Sequence, residues 1–459
     1  MKKVLSSILL TAMGFSMFAA PVTLTVLDYQ DATSPNSFDD NKIVWEAFEE
    51  AHPDIKIERE PLFNEPFHSK TEAYAASGKM PDVFYMWPGG RSTQIHVKKL
   101  AKDLTPFMKK DGILDDYKDI CVDPSQQAGG YIAEIPFGLT STNCVFANVK
   151  VLNELGLKPA KTYEELKAQL PVLQAAGKDL IIMANQDTWV MQSCLFSMVL
   201  GRYAGYDWAN DVKAGKINFE QEWFRKAVEM IDTMYKDGVL SQHSLATNYG
   251  EVPGQFATEK GAYLIDGDWR AGAFMTDLTT GAALIPADKQ ATDVELIQFP
   301  ALPGEVLHGS NSGTLGVGYG MSSAIPAGSE KEAAAWELIK WLSGPEMQQR
   351  RLDTGASFPS LKDGIDFSNL EPLAKKRADW YGTANGVTPV FDGEILAEVA
   401  EVLNNDLQKL GLGTVSVDDV CYDVQEAFEV AYPDVVFAEE EAAPAPAPKA
   451  EKHWWQFWK

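Results

Sequence analysis

Val83-Phe84-Tyr85-Met86 is an unbroken apolar run closed on both sides by residues that cannot extend a strand. Gly78-Lys-Met-Pro81-Asp precedes it, and Trp87-Pro88-Gly89-Gly90-Arg91 follows. Such a run fits an inner parallel strand covered on both faces. Pro88 and the two glycines end it, so Trp87 and Arg91 fall at or just past its carboxyl end. In open α/β sheets that edge is where ligands bind.

The flanking patterns agree with such a sheet. Val22 to Leu27 reads as a first strand ending at Asp28-Tyr29-Gln30-Asp31, followed by a helical pattern through Ile43-Val44 and Ala47-Phe48, with Asp40 or Asn41 as cap. Ile55 and Ile57 mark a second strand, and a helix around Ser69 to Ala76 leads into the third. Strand, helix, strand, helix, strand is doubly wound, with a parallel sheet. Gly130 to Thr140 and Cys144 to Asn148 read as extended segments leaving this first unit. Capping boxes at Thr162–Glu165 and Ser329–Glu332 open helices. Trp189 to Leu200 reads as an apolar helix, Ala262 to Ile265 as a strand, and Val294 to Phe299 and Val317 to Met321 as two more strands. The small residues of His308 to Thr314 read as a loop between those two, and Gly316 to Gly320 as a Gly-rich strand. Helices are expected over about Ile395 to Lys409 and Val417 to Ala431.

Lys2 and Lys3, an apolar segment from Val4 to about Phe18, then Ala19-Ala20-Pro21 have the layout of a secretory signal over residues 1–20. No Cys stands at the junction, so a lipid anchor is not expected, and the mature chain is expected in a bacterial periplasm. Cys121, Cys144, Cys194 and Cys421 allow one or two disulfides in an oxidising compartment, with three pairings open. Cys194, in an apolar stretch, reads as a small buried hydrophobe. From Ala438 an acidic, Pro/Ala-rich linker leads to His453-Trp-Trp-Gln-Phe-Trp-Lys459. This tail over 438–459 has no core to join, and its tryptophans are expected to dock on a bilayer, a glycan or a partner protein.

A formal charge of −25 with no basic cluster argues against nucleic-acid binding. No phosphate loop, metalloprotease motif, EF-hand loop or nucleophile elbow occurs. The six histidines are scattered, so neither a metal nor another cofactor is expected. Asp266 and Asp268 are the best paired carboxylates. On a strand end their Cα atoms would stand roughly 6–7 Å apart, a spacing compatible with glycoside hydrolysis. Caps in a turn are the plainer role for them.

Aromatic and hydrogen-bonding residues accumulate at strand ends and loops: Tyr29, Trp87, Trp189, Trp269 and Phe391, beside Asp31, Arg91, Asn143, Asp268, Asn311 and Asp392. Sugar rings offer apolar C–H faces and equatorial hydroxyls, which flat aromatics and bidentate Asp, Asn and Arg match. The chemistry therefore points to a sugar or oligosaccharide. A polyol, a sugar phosphate or a polyamine stays open as ligand, as do a glycoside-acting enzyme using Asp266 and Asp268 and a surface interaction protein working through its tail.

The order of motifs resembles that of the extracellular solute-binding proteins of bacterial ABC importers, in the carbohydrate-binding group like the maltose-binding protein. The likeness covers about residues 22–432. It rests on Gly78-Lys-Met-Pro-Asp-Val-Phe-Tyr-Met, on Lys260-Gly-Ala-Tyr-Leu-Ile-Asp-Gly-Asp-Trp269, on Gly318-Tyr-Gly-Met-Ser-Ser-Ala-Ile-Pro, and on the helix from Lys331 to Met347. The family's usual Tyr-Asn after the crossover strand is Ala147-Asn148 here. The resemblance implies a two-lobe periplasmic-binding-protein fold, each lobe a mostly parallel sheet flanked by helices, with the ligand in the cleft between lobes. The lobes would be 22–140 with 282–343, and 143–280 with 345–432. Trp87 and Trp269 would face each other across the cleft in a non-catalytic monomer. A permease with its ATPase subunits would be the partner.

Overall fold

The computed structural model describes residues 20–437 except Ala32, Asp39, Asp40, Pro88 and Ala128. The expected signal segment, the Trp-rich tail, the Asp40 cap and Pro88 lie outside the described residues. Strands β1 (Val22–Tyr29), β2 (Ile55–Leu62), β3 (Val83–Met86), β4 (Gly138–Ser141), β5 (Cys144–Asn148) and β6 (Asp179–Ile182) make the first half. Strands β7 (Gly261–Asp266), β8 (Val294–Ile297), β9 (Ser310–Leu315), β10 (Gly318–Met321), β11 (Phe358–Pro359) and β12 (Gly386–Pro389) complete the set.

They form three sheets, in the orders β10-β3-β1-β2, β11-β4-β9-β12 and β6-β7-β5-β8. In the first, β1 runs parallel to β2 and to β3, and β10 returns antiparallel on β3. Val83 and Phe84 are fully buried, as an inner strand requires. The third sheet is mixed: β6 and β7 are parallel, while β5 is antiparallel to both β7 and β8. Its central strand enters directly from the crossover rather than through a helix, which reverses its direction. The pairing of β8 with β5 sets Val294–Ile297 in the second lobe, not with the first as the 282–343 boundary supposed. The middle sheet joins the lobes, with β4 and β9 as antiparallel crossovers in register from Leu139↔Leu315 to Ser141↔Gly313. β9 replaces the expected loop over His308–Thr314. Its small residues suit a strand buried beside other backbone rather than a solvent turn.

Helices cover both lobe sheets. In the first lobe the helix Glu330–Ser343 buries Ala335, Leu338, Ile339 and Leu342 in one core with Leu24, Val26 and Val83. Ser329 caps it by accepting from the Glu332 amide at 3.1 Å. In the second lobe Glu222–Lys236, Ala397–Gly411 and Val417–Ala431 pack on the largest core. Each large apolar side chain so buried contributes about 1.5–3 kcal/mol. The apolar helix beginning at Trp189 continues to Ala204, with a wide π-helical turn over Gln192–Phe196. Cys121, Cys144, Cys194 and Cys421 are all buried and none forms a disulfide, so the bridges allowed by the sequence are not made.

Candidate functional site

A cavity of about 310 Å³ lies between the lobes, over the hinge strands. The ends of β1 and β3 build its first wall. Tyr29 and Tyr85 stack with centroids 5.5 Å apart, and Trp87 stands edge-on to Tyr29 at 5.0 Å. Phe67 and His68, from the helix Glu65–Ser77, pack behind Trp87 at 5.4 and 4.9 Å. Burial, and then the Arg91 charge, hold the His68 imidazole well below its ordinary pKa, so this wall is neutral there. Burial likewise pushes the Tyr29 phenol up.

The second wall follows β7. Trp189, Tyr249 and Trp269 line it, with Trp189 5.1 Å from Tyr249 and 6.4 Å from Trp269. The Trp269 indole N–H donates to the Tyr249 hydroxyl at 2.7 Å, which holds its ring plane. Gly267 makes this fold-back feasible, because a Cβ there would lie 2.2 Å from the Trp269 ring.

Polar groups frame the aromatics. Asp31 accepts from the Thr33 amide and hydroxyl at 2.7 and 2.6 Å. Arg59 pairs with Asp28 at 3.4 Å, and Asp28 also accepts from the Tyr319 hydroxyl. Three contacts tie the lobes together. Arg91 Nε donates to Asp392 at 3.2 Å, and Asn64 donates to Asp187 at 2.9 Å. Asn36 donates to the Thr276 carbonyl and accepts from the Leu278 amide, both at 3.0 Å. Asp187 also accepts from the Tyr249 amide at 2.8 Å, so one carboxylate links Asn64 to the second aromatic wall.

Of the residues singled out in the sequence, Tyr29, Asp31, Trp87, Arg91, Trp189, Trp269 and Asp392 line this cavity. Four do not. Asn143 is buried and donates to the Cys194 carbonyl at 2.6 Å. Asn311 donates to Gln298 at 3.0 Å and is likewise buried. Phe391 is core, stacked on Trp208 at 5.7 Å. Asp268 is fully buried against Arg377, at 2.8 Å from Nε and 2.6 Å from Nη2. Asp266 is just as buried and holds Arg270 Nε at 2.6 Å. Burial raises both carboxyls, opposed in each by its own guanidinium. They therefore form two separate structural ion pairs and do not flank the cavity as an acid and a base, against the enzymatic alternative.

Tyr85, His68, Tyr249, Arg59 and Arg350 also line the cavity and were missed. Tyr85 carries a readable signal, since side chains alternate along a strand and it must face away from the buried Phe84 and Met86. The cations Arg59, Arg91, Arg350 and Arg351 stand against the acids Asp28, Asp31 and Asp392. No group of His, Cys, Asp and Glu able to hold a metal occurs among the described residues.

Residues 37–349 match the model of the bacterial extracellular solute-binding protein family. No curated protein sequence matches significantly. Among solved structures, a chitin oligosaccharide binding protein superposes with a TM-score of 0.80 at 20% identity, covering 90% of this chain and 99% of that one. The maltose-bound MalE3 of T. maritima gives 0.71 at 18% identity over 89% and 100%. The maltodextrin-binding domain MalE from Bdellovibrio bacteriovorus, bound to maltotriose, gives 0.70 at 16% over 90% and 100%. These likenesses establish the two-lobe fold. With the family match spanning more than half of its length, the chain belongs to the bacterial extracellular solute-binding proteins.

Proposed function

We propose that this protein captures a sugar or oligosaccharide outside the cytoplasm, in the periplasm, and hands it intact to the permease of an ABC importer. The observation that carries this reading is the pair of aromatic walls facing one cavity, Tyr29, Tyr85 and Trp87 on one lobe and Trp189, Tyr249 and Trp269 on the other. Aromatic faces cover the apolar sides of a pyranose, while Asp31 and the groups held in ion pairs meet its hydroxyls. A polyamine fits poorly, because four arginines line the same cavity. The neighbours named for chitin oligosaccharide, maltose and maltotriose point to the same ligand class.

Closure gives the delivery step its logic. Ligand that touches both walls binds the closed form better than the open one and shifts the population accordingly. A permease that recognises both lobes in the closed arrangement then selects loaded protein. The signal segment would export the chain as a soluble monomer, and residues 438–459 would dock it on a membrane, a glycan or a partner protein.

The test is a thermal-shift screen over mono- and oligosaccharides. A ligand at 100 times its dissociation constant stabilises the fold by about 2.7 kcal/mol. Absence of a shift across the whole panel contradicts the reading. For the tail, unchanged fractionation with envelope membranes after deletion of 438–459 contradicts docking.

A further inference from the structure

The helix that opens at Trp189 departs from regular α geometry within its first turns. Over Gln192–Phe196 it widens into a π-helical turn, in which the Ser197 amide donates to the Gln192 carbonyl five residues back. Such turns are rare and recur at functional sites. Widening takes carbonyls off the regular ladder, and here side chains take them up. The Ser197 hydroxyl donates to the Gln192 carbonyl at 2.9 Å and accepts from the Phe391 amide at 3.0 Å. The Asn143 side-chain amide donates to the Cys194 carbonyl at 2.6 Å. Asn143 lies at the corner between β4 and β5. The π turn is thereby fastened both to the crossover and to the helix Phe391–Glu394.

What this fastening presents to the cavity is one residue. Within 190–197 only Ser193 lines the cavity, and it stands four residues after Trp189, which lines it too. Side chains four apart are neighbours on one helix face. Gln192 and Cys194, on either side of Ser193, are fully buried. A serine inside a helix commonly turns its hydroxyl back on the carbonyl four residues earlier. Ser193 does not, and no group among the described residues hydrogen-bonds its hydroxyl, although the residue is only 6% exposed. By contrast, the cavity hydroxyls of Thr142 and Thr354 are engaged, with the Ser312 hydroxyl at 2.7 Å and the Arg350 carbonyl at 2.8 Å. A polar group so placed calls for a partner. A serine hydroxyl both donates and accepts, which matches the hydroxyls at the edge of a sugar ring.

Resting on the sugar reading, we propose that Ser193 is a specificity-determining ligand contact, which reads one hydroxyl of the sugar ring packed on Trp189. Asn143 is a positioning residue: it sets Ser193 through the π turn and does not touch the ligand. A sugar that lacks this hydroxyl, or carries it in the opposite configuration, is disfavoured.

Calorimetric titration of wild type, Ser193→Ala, Asn143→Ala and the double variant tests this, first with chitobiose, xylobiose, maltotriose and raffinose. The monodeoxy analogues of the tightest-binding sugar follow. Ala is the better helix former, so Ser193→Ala is expected to keep the wild-type melting temperature. It is expected to weaken the parent sugar about 3- to 10-fold, the range for one neutral hydrogen bond. Wild type and Ser193→Ala should bind one analogue alike, the one without the hydroxyl that Ser193 reads, and every other analogue should keep the difference. A loss equal across all analogues marks a structural effect and overturns the proposal, as does unaltered affinity for the parent sugar. Asn143→Ala should weaken binding in the wild-type background and much less in Ser193→Ala, and additive losses overturn its positioning role. Should Asn143→Ala fail to fold, Asn143→Ser, which keeps a donor, carries the same cycle. If all four sugars fail to bind wild type, the sugar reading falls and this inference with it. If they bind wild type and Ser193→Ala equally, only this inference falls.

Discussion

Trp269 folds back over Gly267 and is pinned by Tyr249, so its ring is positioned before any ligand arrives. Truncation at this site should therefore remove a preformed contact rather than core. Trp269→Ala is expected to weaken sugar binding at least about 10-fold, from the stacking term of about 0.5–1.5 kcal/mol plus lost apolar burial, with the melting temperature nearly unchanged. Calorimetric titration checks this, and a folded variant with wild-type affinity contradicts it. His96 supports a pH prediction. Burial lowers its imidazole from the ordinary 6.5 to about 4, so below pH 6.5 the unfolded chain binds a proton that the native state refuses. Stability must then fall as the pH drops, by about 2 kcal/mol at pH 5 from this residue alone. His96→Phe should lose less stability than wild type between pH 7 and pH 5 in denaturant unfolding, and equal losses contradict the assignment. The site was half legible at this scale. Residues just past strand ends could be read as cleft residues, which found Tyr29, Asp31, Trp87 and Trp269. Which way a side chain points there could not be read. Phe391 sits between Val390 and Asp392, both lining the cavity, yet turns into the core.

The turn Gly89–Ser92 meets the short helix Phe391–Glu394 backbone to backbone across the cleft. A Cβ on Gly89 would lie 1.9 Å from the Gly393 carbonyl oxygen, and one on Gly90 would lie 2.3 Å from that of Ile395. These glycines let the lobes close, and the Arg91–Asp392 pair sits at the same contact. Gly90→Ala should hold the lobes apart and weaken sugar binding about 5- to 100-fold, the equivalent of an overpacking cost of about 1–3 kcal/mol. Small-angle scattering of the sugar-saturated variant should show a larger radius of gyration than wild type, and identical curves contradict the claim. Asn64, at the start of the neighbouring helix, holds a positive φ of 54° while its side chain reaches Asp187 in the other lobe. Such strain persists only where surrounding contacts enforce it. Long periodic elements were legible: Val417–Ala431 falls where its pattern put it. Short hinge strands were not. β9 reads as Ser-Asn-Ser-Gly-Thr-Leu, with no apolar alternation, because both its neighbours are backbone of the middle sheet. The pairing of β8 with β5 is a choice among sheet partners that no local pattern encodes.

At the scale of the whole molecule, two lobes with separate cores are joined through the middle sheet and meet over the cavity between them. In the proposed function, binding energy stabilises the closed form. Asp266 and Asp268 are each held by a buried arginine and do not line the cavity, so the carboxylate pair the sequence offered for hydrolysis lies outside it. The net charge of −25 favours solubility by self-repulsion. Calorimetric titration with the oligosaccharide that gives the largest thermal shift tests the central claim most directly. The account predicts saturable binding at a single site per chain, a negative heat-capacity change from the apolar surface buried between the walls, and no heat flow after saturation. No binding heat with any sugar, or a sustained heat of turnover after mixing, would contradict it.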